Sequence, residues 1–168
     1  AWPCVGGMEY PTLFTGGAYF LSPEGVHSPE GVTIHEFGHG YFYGLLGSNE
    51  FEHAWMDEGM TSFLDTMIAY TAYGEPLYSR RFFGIPVAYP QVRIPMESAG
   101  ISFHRQTFDR DDMQRRAWHY MDGGSYGANA YSKGQLLMLT LRRYLGDELF
   151  DRMIKTFDLN GDSNLASW

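Results

Sequence analysis

Cysteine, basic charge and long apolar runs are what this sequence has least of. Cys4 is the single cysteine in 168 residues, so no disulfide can close within the chain, and thiol content reports no redox compartment. Lys and Arg number 12 against 20 Asp and Glu, a formal charge of −8. That balance excludes the basic patch a nucleic-acid partner requires, and it suits a positively charged partner such as the amino terminus of a peptide. No run of eighteen apolar residues occurs, so nothing reads as a membrane-spanning helix. Ala1-Trp2-Pro3-Cys4 has neither an initiating Met nor the charged start and apolar core of a signal peptide. The chain therefore reads as part of a longer one, and no compartment follows.

What is present is one domain's worth of core-forming residues, 44% apolar with aromatics at 17%. Val5–Pro11 reads as a Gly-rich edge strand, Gly16-Gly17 as a turn and Ala18–Leu21 as a second strand. Ser-Pro-Glu-Gly-Val occurs at 22–26 and again at 28–32, too short a period for a solenoid. Its second copy starts a helix, with Ser28 as cap, Pro29 in the first turn and Glu30 complementing the dipole. That helix is predicted from about Gly31 to Leu46. A second is predicted from Ser48 or Asn49 to Tyr73, and the short link makes the two a hairpin. Pro76, Pro86, Pro90 and Pro95 make 75–106 loop-rich. Asp109-Arg110-Asp111-Asp112 with Arg115-Arg116 reads as a solvated helical face, broken by Gly123-Gly124. Helices are expected again from about Asn129 to Leu145 and Glu148 to Phe157. Asp158–Asn164 lacks the glycine a calcium loop needs at its sixth position. The expected class is α+β, mostly α, a short β edge followed by a helical body, with further strands expected upstream of Ala1.

The chemistry gathers at His35-Glu36-Phe37-Gly38-His39. Two histidines four apart share one helix face, with β-carbons about 5–6 Å apart, so both imidazoles can hold one cation while Glu36 handles protons beside it. Glu58 follows His39 by nineteen positions, on the returning helix of the hairpin. Ligands His35, His39 and Glu58 leave one tetrahedral position open to water, the arrangement of a catalytic zinc ion. Glu36 would then activate a zinc-bound water for attack on a carbonyl. Tyr126 and Tyr131, in a Gly-rich segment before a helix, are both candidates to stabilise the resulting oxyanion. Asp57 either orients a ligand from behind or lies on the helix surface, since it is about 100° round from Glu58.

These residues resemble the catalytic domain of the aminopeptidase N family of zinc metallopeptidases, within the gluzincins. Gly6-Gly7-Met8-Glu9 is similar to the family's Gly-x-Met-Glu-Asn strand. His35-Glu36-Phe37-Gly38-His39 with Glu58-Gly59 matches its zinc signature, including the eighteen-residue gap. Tyr131-Ser132-Lys133-Gly134 matches its Tyr-x-Lys-Gly segment. The resemblance implies a thermolysin-like domain over 1–168, one zinc ion, and flanking N-terminal β and C-terminal helical domains that this chain lacks. It also implies that Gly6, Gly7, Met8 and Glu9 bind substrate, with Glu9 on the free α-amine, and it favours Tyr131 over Tyr126 on the oxyanion. The implied activity is removal of N-terminal residues from peptides. Tyr10 stands where the family usually has Asn, Gly40 stands for the common Gln, and Tyr41-Phe42-Tyr43-Gly44 shifts the usual Trp-Phe-Gly. The alternatives are a zinc endopeptidase with no strict need for a free amino terminus, and a non-catalytic, zinc-stabilised binding domain.

Overall fold

A computed structural model describes residues 6–17, 27–74, 81–83, 85–86, 98–107 and 109–164. Its first element is an antiparallel hairpin, β1 (Met8–Tyr10) and β2 (Leu13–Thr15), with Met8 opposite Thr15 and Glu9 opposite Phe14. Pro11 does close β1, but Pro11-Thr12 is itself the turn, so the chain pairs back at once. Leu13–Thr15 was not expected as a strand, and the predicted one at Ala18–Leu21 lies outside the described residues.

Helix α1 (Ser28–Phe42) packs along β1 and α2. Pro29 sits in its first turn as expected, but the N-cap is His27 and no side chain caps it. The helix ends four residues early. Gly44 and Leu46 take carbonyls five residues back, and Gly47 has φ of 61°, a conformation glycine adopts without strain.

The second helix is also shorter than its apolar spacing suggests. Residues 47–53 form a loop, tied down where Ala117 N–H donates to Phe51 O at 2.8 Å. A π-helical turn, Trp55–Gly59, then leads into α2 (Met60–Tyr73). The predicted hairpin nevertheless forms, and a β-carbon on Gly38 would stand 3.0 Å from Thr61 Cγ2, so α1 and α2 approach closely there.

After the short pair β3 (Arg81–Phe82) and β4 (Ile85–Pro86), helix α3 (Ser98–Thr107) packs on a second π turn. That turn, Gly127–Lys133, joins α4 (Gly123–Tyr126) to α5 (Gly134–Leu145). Gly123-Gly124 starts this run rather than breaking one, because Asp122 Oδ1 accepts from Ser125 N–H at 2.7 Å and caps it. The acidic–basic run is not a helical face. It forms turns and a 3-10 turn, Ala117–His119, with Asp111 buried and accepting from Met121 N–H at 2.8 Å and Ser125 Oγ–H at 2.5 Å. Helix α6 (Asp147–Asn164) continues through the stretch that resembled a calcium loop.

Phe42, Met60, Phe63, Met138, Leu139 and Phe150 form the core where α1, α2, α5 and α6 meet. The fold is mostly helical with small two-stranded sheets, as the sequence implies. Among the described residues, no helix is long and apolar enough to cross a membrane.

The two π turns touch through glycine. A β-carbon on Gly134 would stand 2.7 Å from Gly59 Cα and 3.3 Å from Trp55 O, and one on Gly59 would stand 2.8 Å from Ala130 O. Those neighbours are backbone and cannot swing aside. Gly134→Ala should therefore destabilise the fold by about 1–3 kcal/mol, the cost of overpacking. Urea melts measure this, and an unchanged midpoint would show that the two turns do not meet as described.

Candidate active site

Helix α1 presents His35 and His39 one turn apart, and the hairpin brings Glu58 against both. Glu58 Oε2 lies 3.2 Å from His35 Nε2 and 3.4 Å from His39 Nε2. One donor atom from each of the three lies within 4.8 Å of the others. Two imidazole nitrogens and one carboxylate oxygen, converging and half-buried or deeper, form a donor set that fits zinc.

Each histidine is also gripped at its other ring nitrogen. His39 Nδ1 pairs with Asp57 Oδ1 at 2.6 Å, and His35 Nδ1 with Asp65 Oδ2 at 2.8 Å. These carboxylates fix each ring's orientation and direct Nε2 toward Glu58. Asp57 is fully buried, so the surface alternative does not hold. The π turn explains it: a wider turn rotates less per residue, and Asp57 and Glu58 reach the same helix. Asp65 is absent from the sequence reading. Its signal was there, since it lies seven residues after Glu58 and so two turns along the same face.

The electrostatics follow from this crowding. Burial alone would lower the His35 pKa, but hydrogen bonds to Asp65 and Glu58 outweigh it and carry the ring to about 9. For His39, burial is likewise outweighed by Asp57 and Glu58, and the ring reaches about 10. Burial opposes the charge on Glu58, yet His35, His39 and Tyr131 hold it at about 2. Because imidazole ligates a metal through an unprotonated nitrogen, metal binding to this trio would compete with the proton that these carboxylates favour on each ring.

Glu36 is 7% exposed, and its Oε2 is buried without a hydrogen-bond partner among the described residues. Burial raises its pKa, against the pull of His35 and His39. A buried carboxylate with an unused oxygen is a proton acceptor waiting for a donor. Gly7, just before β1, lies against it, and a β-carbon there would overlap the Glu36 carboxyl group. Glu9 on β1 places a carboxylate oxygen within 4.8 Å of donor atoms of Glu36 and His39. Among the described residues nothing lies within 4 Å of a β-carbon placed on Gly6, and Met8 is exposed.

Tyr131 comes from the second π turn. Its hydroxyl donates to Glu58 Oε1 at 2.5 Å, and its ring stacks on His35 at 5.7 Å between centroids. Burial, then the Glu58 charge, pushes its pKa well above the ordinary phenol value, so it stays a donor. Tyr126 meets the Tyr131 ring edge-on at 5.8 Å and supports it by packing. A cleft of about 1120 Å³ is walled by Glu9, Tyr10, Phe14, Glu36, Phe37 and His39 among others, on the β1 side of the site.

The profile of the Peptidase family M1 domain matches residues 4–161. The chain is 26% identical to leucine aminopeptidase 2 of Eremothecium gossypii, over 98% of this chain and 26% of that protein. It is 28% identical to leucine aminopeptidase 2 of Emericella nidulans, over 89% of this chain and 22% of that protein. It thus spans about a quarter of the length of these relatives. No solved structure matches it. Because the profile covers nearly all of the residues that build the hairpin, both π turns and the histidine–glutamate trio, the chain belongs to peptidase family M1.

Proposed function

We propose that this chain is the catalytic part of a zinc aminopeptidase, a thermolysin-like domain that removes N-terminal residues from peptides. The observation that carries the reading is Glu58 closing on both Nε2 atoms beside a buried, unpartnered Glu36. His35, His39 and Glu58 would hold the metal. Bound zinc would supply a Lewis acid that polarises the substrate carbonyl and brings a water's pKa toward about 7. Glu36 takes the proton of the attacking water and delivers it to the leaving amine, a role its raised pKa suits. Tyr131 donates its hydroxyl to the oxyanion of the tetrahedral intermediate. Glu9 pairs with the substrate's α-ammonium through a charge-assisted hydrogen bond, which only an unblocked peptide offers. Gly7 keeps the strand close to Glu36, and the edge of β1 accepts the substrate backbone as an added strand. The similarity to leucine aminopeptidase 2 proteins makes an N-terminal leucine the first substrate to try, and the largely apolar cleft wall agrees with it.

A second reading rests on Tyr10, which is 54% exposed at the position where the family usually has Asn. Without that Asn, an endopeptidase indifferent to the free amine would use the same trio and base. Paired substrates separate the two. A leucyl peptide should be cleaved with one zinc per chain, and its N-acetyl twin at least about 100-fold more slowly, on the scale of losing a charged hydrogen bond. Equal rates on both would replace the aminopeptidase reading with the endopeptidase one.

A further inference from the structure

Glu9 has a second set of neighbours. Carboxylate oxygens of Glu9, Glu50 and Asp57 all lie within 4.8 Å of one another. Glu9 comes from β1, Glu50 from the loop after α1 and Asp57 from the first π turn that follows that loop. Asp57 is fully buried, and its Oδ1 is taken by His39. Its Oδ2 is buried with no hydrogen-bond partner among the described residues. A buried carboxylate oxygen left so costs stability unless a cation or donor meets it. Burial raises the Glu50 pKa first, and the charges of Asp57 and Glu9 raise it further.

The cleft does not supply that cation. Its wall includes Glu9, Glu36 and His39, but neither Glu50 nor Asp57. A substrate ammonium in the cleft would reach Glu9 from one side and leave Asp57 Oδ2 unmet. Three carboxylates without a nitrogen or sulfur donor are the ligand set of a hard divalent ion, unlike the nitrogen-rich histidine trio.

We propose that Glu9, Glu50 and Asp57 form a second metal site that takes one hard divalent cation, such as Mn²⁺ or Ca²⁺, apart from the His35–His39–Glu58 trio. The ion ties β1 to the loop and the π turn, so that Glu9 is held from behind while it faces the cleft. Because Asp57 also holds His39, the two sites share one carboxylate–imidazole link without sharing a ligand.

The test reads metal content and needs no turnover, so it stands even if the peptidase reading fails. Zinc-loaded protein is titrated with Mn²⁺, free Mn²⁺ is followed by electron paramagnetic resonance, and zinc is assayed in the bound fraction. One Mn²⁺ should bind with zinc retained. Glu50→Gln should weaken Mn²⁺ binding at least about tenfold with zinc content unchanged, since the charge count of the ligands sets affinity. Absence of Mn²⁺ uptake, exchange of Mn²⁺ for zinc one for one, or undiminished binding in Glu50→Gln each overturns the proposal. Should Glu50→Gln also lose zinc, Glu50→Asp decides: it must bind Mn²⁺ more weakly with zinc retained, and unchanged affinity there overturns it.

Discussion

Glu36→Gln should lower kcat by about 10²–10⁴-fold, the contribution of a positioned general base, while zinc content stays the same. The amide keeps the shape of the carboxylate but cannot accept a proton. Glu36 is outside the ligand trio, so the metal has no reason to leave. Its burial and unpartnered Oε2 sharpen the expectation, because no other contact of that oxygen is lost with the charge. Turnover and metal analysis on one preparation make the check. Activity that survives with full zinc would remove Glu36 as the base; activity and zinc lost together would make it a structural support of the site.

Tyr131→Phe should lower kcat by about 10²–10³-fold, as removal of one oxyanion donor does, with KM little changed. The substitution keeps the ring, and with it the stack on His35 and the edge contact with Tyr126. Only the hydroxyl goes. In the structure that hydroxyl rests on Glu58 Oε1, so it must leave this carboxylate to serve an intermediate. The competing account makes Tyr131 a brace for Glu58. Under it, Tyr131→Phe would weaken zinc binding and leave kcat of the loaded protein near the original. Zinc affinity measured beside kcat separates the two outcomes.

The parts of the site that were legible in the sequence are those set by local helical geometry. His35 and His39 lie on one face because an α-helix repeats every 3.6 residues. Glu58 returns to them because a helix–loop–helix stretch of that length makes a hairpin. The long loop, residues 47–53, was not legible, since the apolar spacing of Phe51 and Trp55 imitates a helix that a hydrogen bond from the sequence-distant Ala117 N–H overrides. Asp111 misled for a related reason. A charge run usually faces water, but here Ser125 Oγ and Met121 N–H supply donors that make burying one carboxylate tolerable.

By itself, then, the sequence determined the histidine–glutamate trio, Glu36 beside it and the family to which the chain belongs. Tertiary structure decided what holds that trio in place. Asp57 turns inward because the first π turn forms, and that turn is pressed backbone to backbone against the start of α5 at Gly59 and Gly134, residues 75 positions apart. Asp65 behind His35, Tyr131 on Glu58 and Glu50 beside Glu9 depend on the same packing. The physical reason is range. Ligand spacing along one helix is a property of neighbouring residues, whereas the direction of a buried carboxylate is set by whichever distant backbone it packs against.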